Sequence, residues 1–249
     1  MSAVGTWAWA QETGGALRRR DRAELIRQGV LARLSRLPAG LRGPVSGSLT
    51  MELPAPPDSA LARSADELVR ELSNPELYAH CLRTWAFSAM FAARGKIEHD
   101  AELLYLACVL HDLGLTAVHD RADPTARCFG VEGARAAHAL ICGSGESESR
   151  ARAVAEAITL HLNVTVPASM GAEAHLLSKG VSLDTIGRRL HQLPLASVRS
   201  VDARWPRKGF TEYLVSATNR QAEIRTQSRS ALLRQLGLPA LLRANPLDT

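Results

Sequence analysis

The sequence predicts an all-α protein. Apolar residues recur every three or four positions along most of the chain, which is the periodicity of an amphipathic helix. No segment of useful length alternates between apolar and polar residues, as a half-buried β-strand does. The 249 residues, of which 46% are hydrophobic, suffice to bury a sizeable core. These observations favour one helical domain at residues 58–215, between an N-terminal arm at 1–57 and a helical tail at 216–249 that packs on the domain.

The N-terminal arm is predicted to hold one helix and an extended connection. An apolar stripe marks the helix: Ile26, Val30, Leu34 and Leu37. Pro38 and Gly40 end this stripe. The stretch from Pro38 to Pro57 is rich in Pro, Gly and Ser, which is typical of an extended connection that wraps the body. Trp7 and Trp9 fit either an anchor for self-association or a loosely packed terminus.

The helical domain begins at a predicted N-cap, Asp58 or Ser59. Ser73-Asn74-Pro75 marks a second helix start, because a capping residue there precedes a proline at the first helical position. A loop is predicted at 121–130, and the helices around it at residues 75–95, 99–114, 131–142, 149–161, 173–179 and 183–190. After a break at 206–209, the pattern predicts helix again over residues 211–236.

Composition and charge exclude several classes of protein. Lys and Arg total 30 against 25 Asp and Glu, but the densest basic run, Arg18–Arg22, is interrupted by Asp21 and is typical of a solvated helix face rather than a nucleic-acid-binding surface. No run reaches the ~18 apolar residues of a membrane span. The four cysteines lack CxxC spacing, which indicates reduced thiols. We therefore expect a cytoplasmic protein that binds neither nucleic acid nor a membrane.

Three His-Asp pairs occur in the chain, and their contexts differ. His99-Asp100 stands at a helix start, where the carboxylate can cap the helix. His119-Asp120 opens a polar loop. His111-Asp112 instead ends the most apolar helix of the protein, where burial of two ionisable groups is costly unless a metal ion or another group compensates. This pair is therefore the candidate for a metal site.

Two further ionisable residues fit either an ordinary structural role or a metal site. His80 lies inside a strongly apolar helix, which by itself favours a hydrogen-bonded core histidine. Asp184 lies in the segment GVSLDT, which by itself favours a helix cap. Neither residue alone indicates chemistry.

Taken together, His80, His111-Asp112 and Asp184 resemble the H…HD…D signature of the HD-domain superfamily of metal-dependent hydrolases. Within that superfamily the chain is similar to the cyanamide hydratase-like branch. The matching segments are HCLRTWAF, LACVLHDLGLT, FGVEGARAA, AITLH, LLSKGVSLDTIG and RWPRKGF. The resemblance covers roughly residues 50 to 215 and implies an HD-domain helical bundle.

The resemblance also implies a catalytic metal centre. Its ligands would be His80, His111, Asp112 and Asp184, which leave a coordination position open for water. We expect one divalent ion, zinc first, although this set of nitrogen and oxygen ligands also suits iron, manganese or cobalt. Asp112 would accept the proton of the attacking water, and His161 would form a hydrogen bond with the substrate or transfer a proton to it.

Four more side chains are candidates for contact with the substrate. Phe129 would line the pocket. Glu132 would be a polar pocket group or a partner of its helix dipole, and Thr116 would offer a hydroxyl or serve only as a turn residue. Arg83 would either pair with a ligand carboxylate or bind an anionic substrate.

The implied reaction is addition of water to a small C–N compound, with hydration of cyanamide to urea as the model. Three alternatives stay open: a phosphohydrolase, which needs several cations near the metal, a di-iron oxygenase and a non-catalytic helical binding module. The two-metal pattern of the oxygenases requires a further histidine where this chain has Phe129, and His138 is displaced from that position. We therefore expect one metal ion and a small-molecule substrate, and the sequence leaves homo-oligomer formation open.

Overall fold

The computed structural model describes residues 2–34, 50–53, 55–119 and 127–248, and this part of the chain contains helices and no strand. The described helices are α1 Trp7–Thr13, α2 Arg19–Leu34, α3 Ala60–Leu72, α4 Pro75–Gly95, α5 Ala101–Leu110, α6 Phe129–Gly143, α7 Glu148–Leu160, α8 Ala172–Ile186, α9 Leu195–Arg204, α10 Phe210–Ile224, α11 Arg229–Gln235 and α12 Leu238–Arg243. The predicted all-α fold is confirmed. None of these helices is both long and apolar enough to cross a bilayer.

The centre of the bundle is formed by α4, α5, α7 and α8. Helix α4 begins as predicted, with the Asn74 side chain accepting the Leu77 N–H and Pro75 in the first turn. Helix α5 is apolar along almost its whole length and is buried from Leu104 to Leu110. Helix α8 crosses α4 closely at Gly180, where a Cβ atom would overlap the Ser88 hydroxyl and the Thr84 carbonyl. These four helices hold the ends of α5 and α7 close together.

Several helix boundaries differ from those predicted. Helix α8 is continuous, where two helices at 173–179 and 183–190 were expected, because burial against α4 outweighs the low helix propensity of Gly180. Helix α5 is shorter than expected and is followed by a 3₁₀ turn at Leu113–Leu115. The predicted helix at 211–236 consists of α10 and α11, and the predicted domain limit at residue 215 falls inside α10.

The N-terminal arm packs on its own chain through two tryptophans. Trp9 is fully buried, its Nε1–H donates to Asp21 Oδ2 at 3.0 Å, and the Arg229 guanidinium lies 5.1 Å from its ring centroid. The Trp7 ring stacks on His138 with centroids 5.4 Å apart. Helix α1, which the sequence pattern did not predict, is thereby fixed against α7 and the tail. Leu37, the last residue of the predicted apolar stripe, and most of the predicted extended connection from Pro38 to Pro57 lie outside the described residues.

Candidate metal centre

Three metal-binding side chains meet at the end of α5. His80 lies in the second turn of α4, while His111 and Asp112 follow the last residue of α5. The chain then turns so closely onto α6 that a Cβ atom at Gly114 would overlap the carbonyl oxygen of Phe129. This turn lets two adjacent side chains reach the same point as His80. All three are buried.

The distances within this group fit a single ion. His80 Nε2 lies 3.2 Å from His111 Nε2, and Asp112 Oδ2 lies 3.5 Å from the former nitrogen and 3.2 Å from the latter. Ligand atoms about 2.1 Å from one ion lie about 3.0–3.4 Å apart in tetrahedral or octahedral geometry. The opposite ring nitrogens, Nδ1, are bonded to the Cys108 carbonyl in His111 and to Asp184 in His80. Because Nδ1 is engaged in both rings, Nε2 is the nitrogen left to ligate in each, and the two Nε2 atoms face each other, as two ligands of one cation do.

Asp184, the fourth predicted ligand, occupies a different position. Its Oδ2 accepts from His80 Nδ1 at 2.6 Å, on the side of the ring away from His111. Arg83 donates to both carboxylate oxygens, at 2.8 and 3.0 Å, and Arg207 Nη1 donates to Oδ1 at 2.6 Å. The Asp184 carboxylate is thus part of a buried ion cluster with His80, Arg83 and Arg207. A carboxylate at this position fixes the tautomer and the orientation of a ligating histidine.

His161 completes the polar face of the centre. It caps the end of α7, where its Nδ1 lies 2.5 Å from the Ile158 carbonyl oxygen and therefore carries the proton. Its Nε2 lies 3.6 Å from Asp112 Oδ1, and its ring centroid is 5.0 Å from that of His111. An unprotonated nitrogen is thus directed at the second oxygen of Asp112.

The electrostatics of the centre follow from burial and close opposite charges. Burial disfavours the Asp112 carboxylate and would raise its pKa. The charge and hydrogen bonds of His111 and His80 have the larger effect and hold the pKa of Asp112 well below its usual value. Burial would lower the pKa of His111, but the neighbouring Asp112 carboxylate outweighs burial and raises this pKa to about 9. Burial, with the charge of His111, lowers the pKa of His161 to about 3. Burial likewise disfavours the Asp184 carboxylate, yet Arg83 keeps the pKa of Asp184 far below its ordinary value.

A cavity of about 210 Å³ opens beside this centre, and His80, Asp112 and His161 are among the residues that line it. Of the four side chains predicted to contact substrate, Phe129 lines the cavity; Arg83, Thr116 and Glu132 are not among its described lining residues.

The other three candidates have partners elsewhere. Arg83 is fully buried and also donates to the carbonyls of Trp205 and Pro206. Of its two predicted roles, these contacts agree with pairing to a carboxylate and not with binding of an anionic substrate. The Thr116 hydroxyl donates to the Leu113 carbonyl at 2.7 Å, as a turn residue does. Glu132 Oε1 lies 3.8 Å from His119 Nδ1.

His138 lies apart from the centre. Its Nε2 contacts Glu148 Oε1 at 3.1 Å, with Cys142 nearby, so it belongs to a separate group between the C-terminal part of α6 and the first residue of α7. Reasoning from the sequence missed Arg207. Its membership of the RWPRKGF segment was the one available signal, and its contact with Asp184 depends on the fold.

Comparison with known proteins agrees with this arrangement. The HD-domain family model matches residues 77–191, which contain His80, His111, Asp112, His161 and Asp184. Cyanamide hydratase DDI2 and cyanamide hydratase DDI3 of Saccharomyces cerevisiae are each 30% identical to the chain over 160 residues, which cover 61% of this chain and 68% of each relative. The chain therefore belongs to the HD-domain family of metal-dependent hydrolases, as a cyanamide hydratase-like member.

Proposed function

We propose that the chain is a mononuclear metal-dependent hydratase that adds water across a carbon–nitrogen multiple bond, with cyanamide, which would give urea, as the model substrate. The observation that carries this proposal is the convergence of His80, His111 and Asp112 beside a cavity that His161 also lines. Similarity to the two yeast cyanamide hydratases supports the choice of bond. Zinc and a cytoplasmic location stay predictions from the sequence.

His80, His111 and Asp112 would hold the ion through Nε2, Nε2 and Oδ2. When bound, a divalent ion lowers the pKa of a coordinated water towards neutrality. Asp184 is the fourth ligand implied by the resemblance, but its bonds to His80, Arg83 and Arg207 support a positioning role instead. In that role it would keep the His80 lone pair directed at the ion.

Asp112 and His161 would move the proton. Asp112 Oδ1 faces His161 Nε2 at 3.6 Å, so a proton released by the attacking water can be taken at this pair. The same pair would then deliver it to the substrate nitrogen. The water oxygen would bond to carbon as one C–N π bond breaks and the nitrogen takes a proton, which gives the isourea. Movement of the hydroxyl proton to the same nitrogen would then break the second C–N π bond and give the C=O group of urea, so that both protons of the water end on the product. A neutral His161, consistent with its lowered pKa, is an acceptor at the start of this sequence.

The charges around the cavity favour this chemistry over phosphate release. A phosphohydrolase needs cations that converge on the metal. Arg83 and Arg207 are bonded to Asp184, and Arg188 is the one Lys or Arg among the described residues that line the cavity. The Arg188 guanidinium in turn donates to the Val164 carbonyl at 2.8 Å.

The test is elemental analysis of purified protein together with a urea assay on cyanamide. We expect about one divalent ion per chain, urea formation that needs it, and loss of both in Asp112→Ala. His161→Gln should keep the ion while the rate falls, by about 10²–10⁴-fold. Two irons per chain, no metal after reconstitution, or a metal-loaded protein inactive on every nitrile and amide tested would contradict the proposal.

A further inference from the structure

Besides the groups of the metal centre, the cavity is lined by an apolar region, and most of its apolar side chains lie outside residues 77–191. Its apolar wall includes side chains of α2, α10 and α12 and of the end of α11. They include Ile26, Val30, Leu214, Leu236, Leu238 and Leu242. The cavity therefore has a polar part, formed by the groups of the centre, and a largely aliphatic part.

Three of the polar side chains that line the cavity are already bonded to the backbone. The Thr185 hydroxyl donates to the Val181 carbonyl and the Thr218 hydroxyl to the Leu214 carbonyl, each at 2.7 Å. Asn163 donates to the Val4 carbonyl at 2.8 Å. Because these groups bond to the backbone, the wall offers mainly apolar contact to a ligand.

The volume exceeds what the model substrate requires. Cyanamide has three non-hydrogen atoms, whereas the cavity measures about 210 Å³. A water molecule occupies about 30 Å³ of the liquid, and an engineered apolar cavity of about 150 Å³ accepts benzene. A molecule of cyanamide at the centre would leave most of the apolar region unfilled.

We propose that this region binds an apolar side group of the substrate, so that the compounds this enzyme hydrates best are nitriles, R–C≡N, in which R is an alkyl chain or an aromatic ring. The inference rests on the proposed hydratase function. The balance is R–C≡N + H₂O → R–C(O)NH₂, with the C≡N group at the polar part and R against α2, α10 and α12. The metal centre would supply the reaction, and the arm and the tail would supply the preference for R.

The experiment compares kcat/KM of the metal-loaded protein for acetonitrile, butyronitrile, hexanenitrile, benzonitrile and cyanamide. Each methylene group of R that is transferred from water into the apolar region should raise kcat/KM up to about fourfold, until the region is filled. Ile26→Asp places a carboxylate on the wall and should lower the ratio of hexanenitrile to acetonitrile kcat/KM about fivefold to tenfold. Ile224→Asp is the matched control, since both residues are helical and 40% and 44% exposed, but Ile224 does not line the cavity.

Binding of the product amides separates this inference from the proposed function. Hexanamide and benzamide should raise the Tm of the metal-loaded protein, and less so in Ile26→Asp. If the protein hydrates cyanamide but kcat/KM does not rise along the nitrile series and the amides do not shift the Tm, the apolar site is refuted and the proposed hydratase function is retained. Tm shifts that depend on Ile26, without hydration of any nitrile, would support the apolar site and refute the hydratase.

Discussion

His80 is held from both sides of its ring. Asp184 fixes Nδ1 at 2.6 Å, and the Nε2 atom faces His111 at 3.2 Å. A fully buried carboxylate such as Asp184 is tolerated because Arg83 and Arg207 neutralise it with three hydrogen bonds. The orientation of one ligand thus depends on a buried ion cluster.

The change Asp184→Asn tests this dependence. It keeps the size of the side chain but leaves the buried Arg83 guanidinium without its carboxylate partner and Arg207 with Asp248 alone, so stability should fall by about 3–5 kcal/mol. Metal affinity should fall by about 10–100-fold, as for other partners behind a ligating histidine. Urea unfolding and competition with a chelator measure the two effects.

Asp248→Asn is the control for this experiment. Asp248 is partly exposed and bonds the other side of Arg207, so its loss should cost about 1 kcal/mol or less. Complete loss of metal in a normally stable Asp184→Asn protein would identify Asp184 as a direct ligand instead.

The residues of the centre differ in how far the sequence could predict them. His80, His111 and Asp112 were predicted from the motif, because their spacing reflects fixed positions on α4 and α5. The position of Asp184 behind the ring depends on which nitrogen of His80 it meets, which spacing does not specify. Arg207 reaches Asp184 from the connection between α9 and α10. That contact requires the folded chain.

At the level of elements, the crossing of α4 and α8 sets the distance between His80 and Asp184. The crossing is close because Gly180 has no side chain where Ser88 and Thr84 approach. The sequence around Gly180 predicted a break, since local propensity is all that a single segment reveals. Ser88 also donates to the Leu176 carbonyl at 3.0 Å, which ties the two helices together.

Gly180→Ala should therefore separate α4 from α8. The added methyl group overlaps backbone and side-chain atoms, and overpacking of this kind costs about 1–3 kcal/mol. Gly143→Ala is the matched control, because this helical glycine has open space around it and should lose no stability. Thermal unfolding of both variants makes the comparison. Equal stabilities would show that α4 and α8 can move apart without a loss of stability.

At the level of the whole molecule, the two ends of the described chain meet. Trp9 of the arm lies between Asp21 and Arg229, and Arg229 also donates to the Thr159 carbonyl of α7. A sequence does not reveal such a contact, because its partners are far apart along the chain. The helical character of the tail was predicted, whereas the packing of Trp9 was not.

Trp9→Ala should destabilise the protein by about 3–5 kcal/mol, because it removes a fully buried ring. Trp9→Phe keeps an aromatic ring and loses the bond to Asp21, so it should cost about 1–2 kcal/mol. Denaturant unfolding of the two variants gives both values. If alanine cost no more than phenylalanine, the arm would contribute little to the packing of the core.

The wall of the cavity and its reactive end come from different parts of the chain. The residues that face the metal centre stand on α4 and at the ends of α5 and α7, while α2, α10 and α12 supply much of the apolar wall. Substitutions confined to this wall alter the shape of the site without changing a side chain at the centre. Natural divergence or laboratory selection therefore has a separate set of positions on which new substrate ranges can be built.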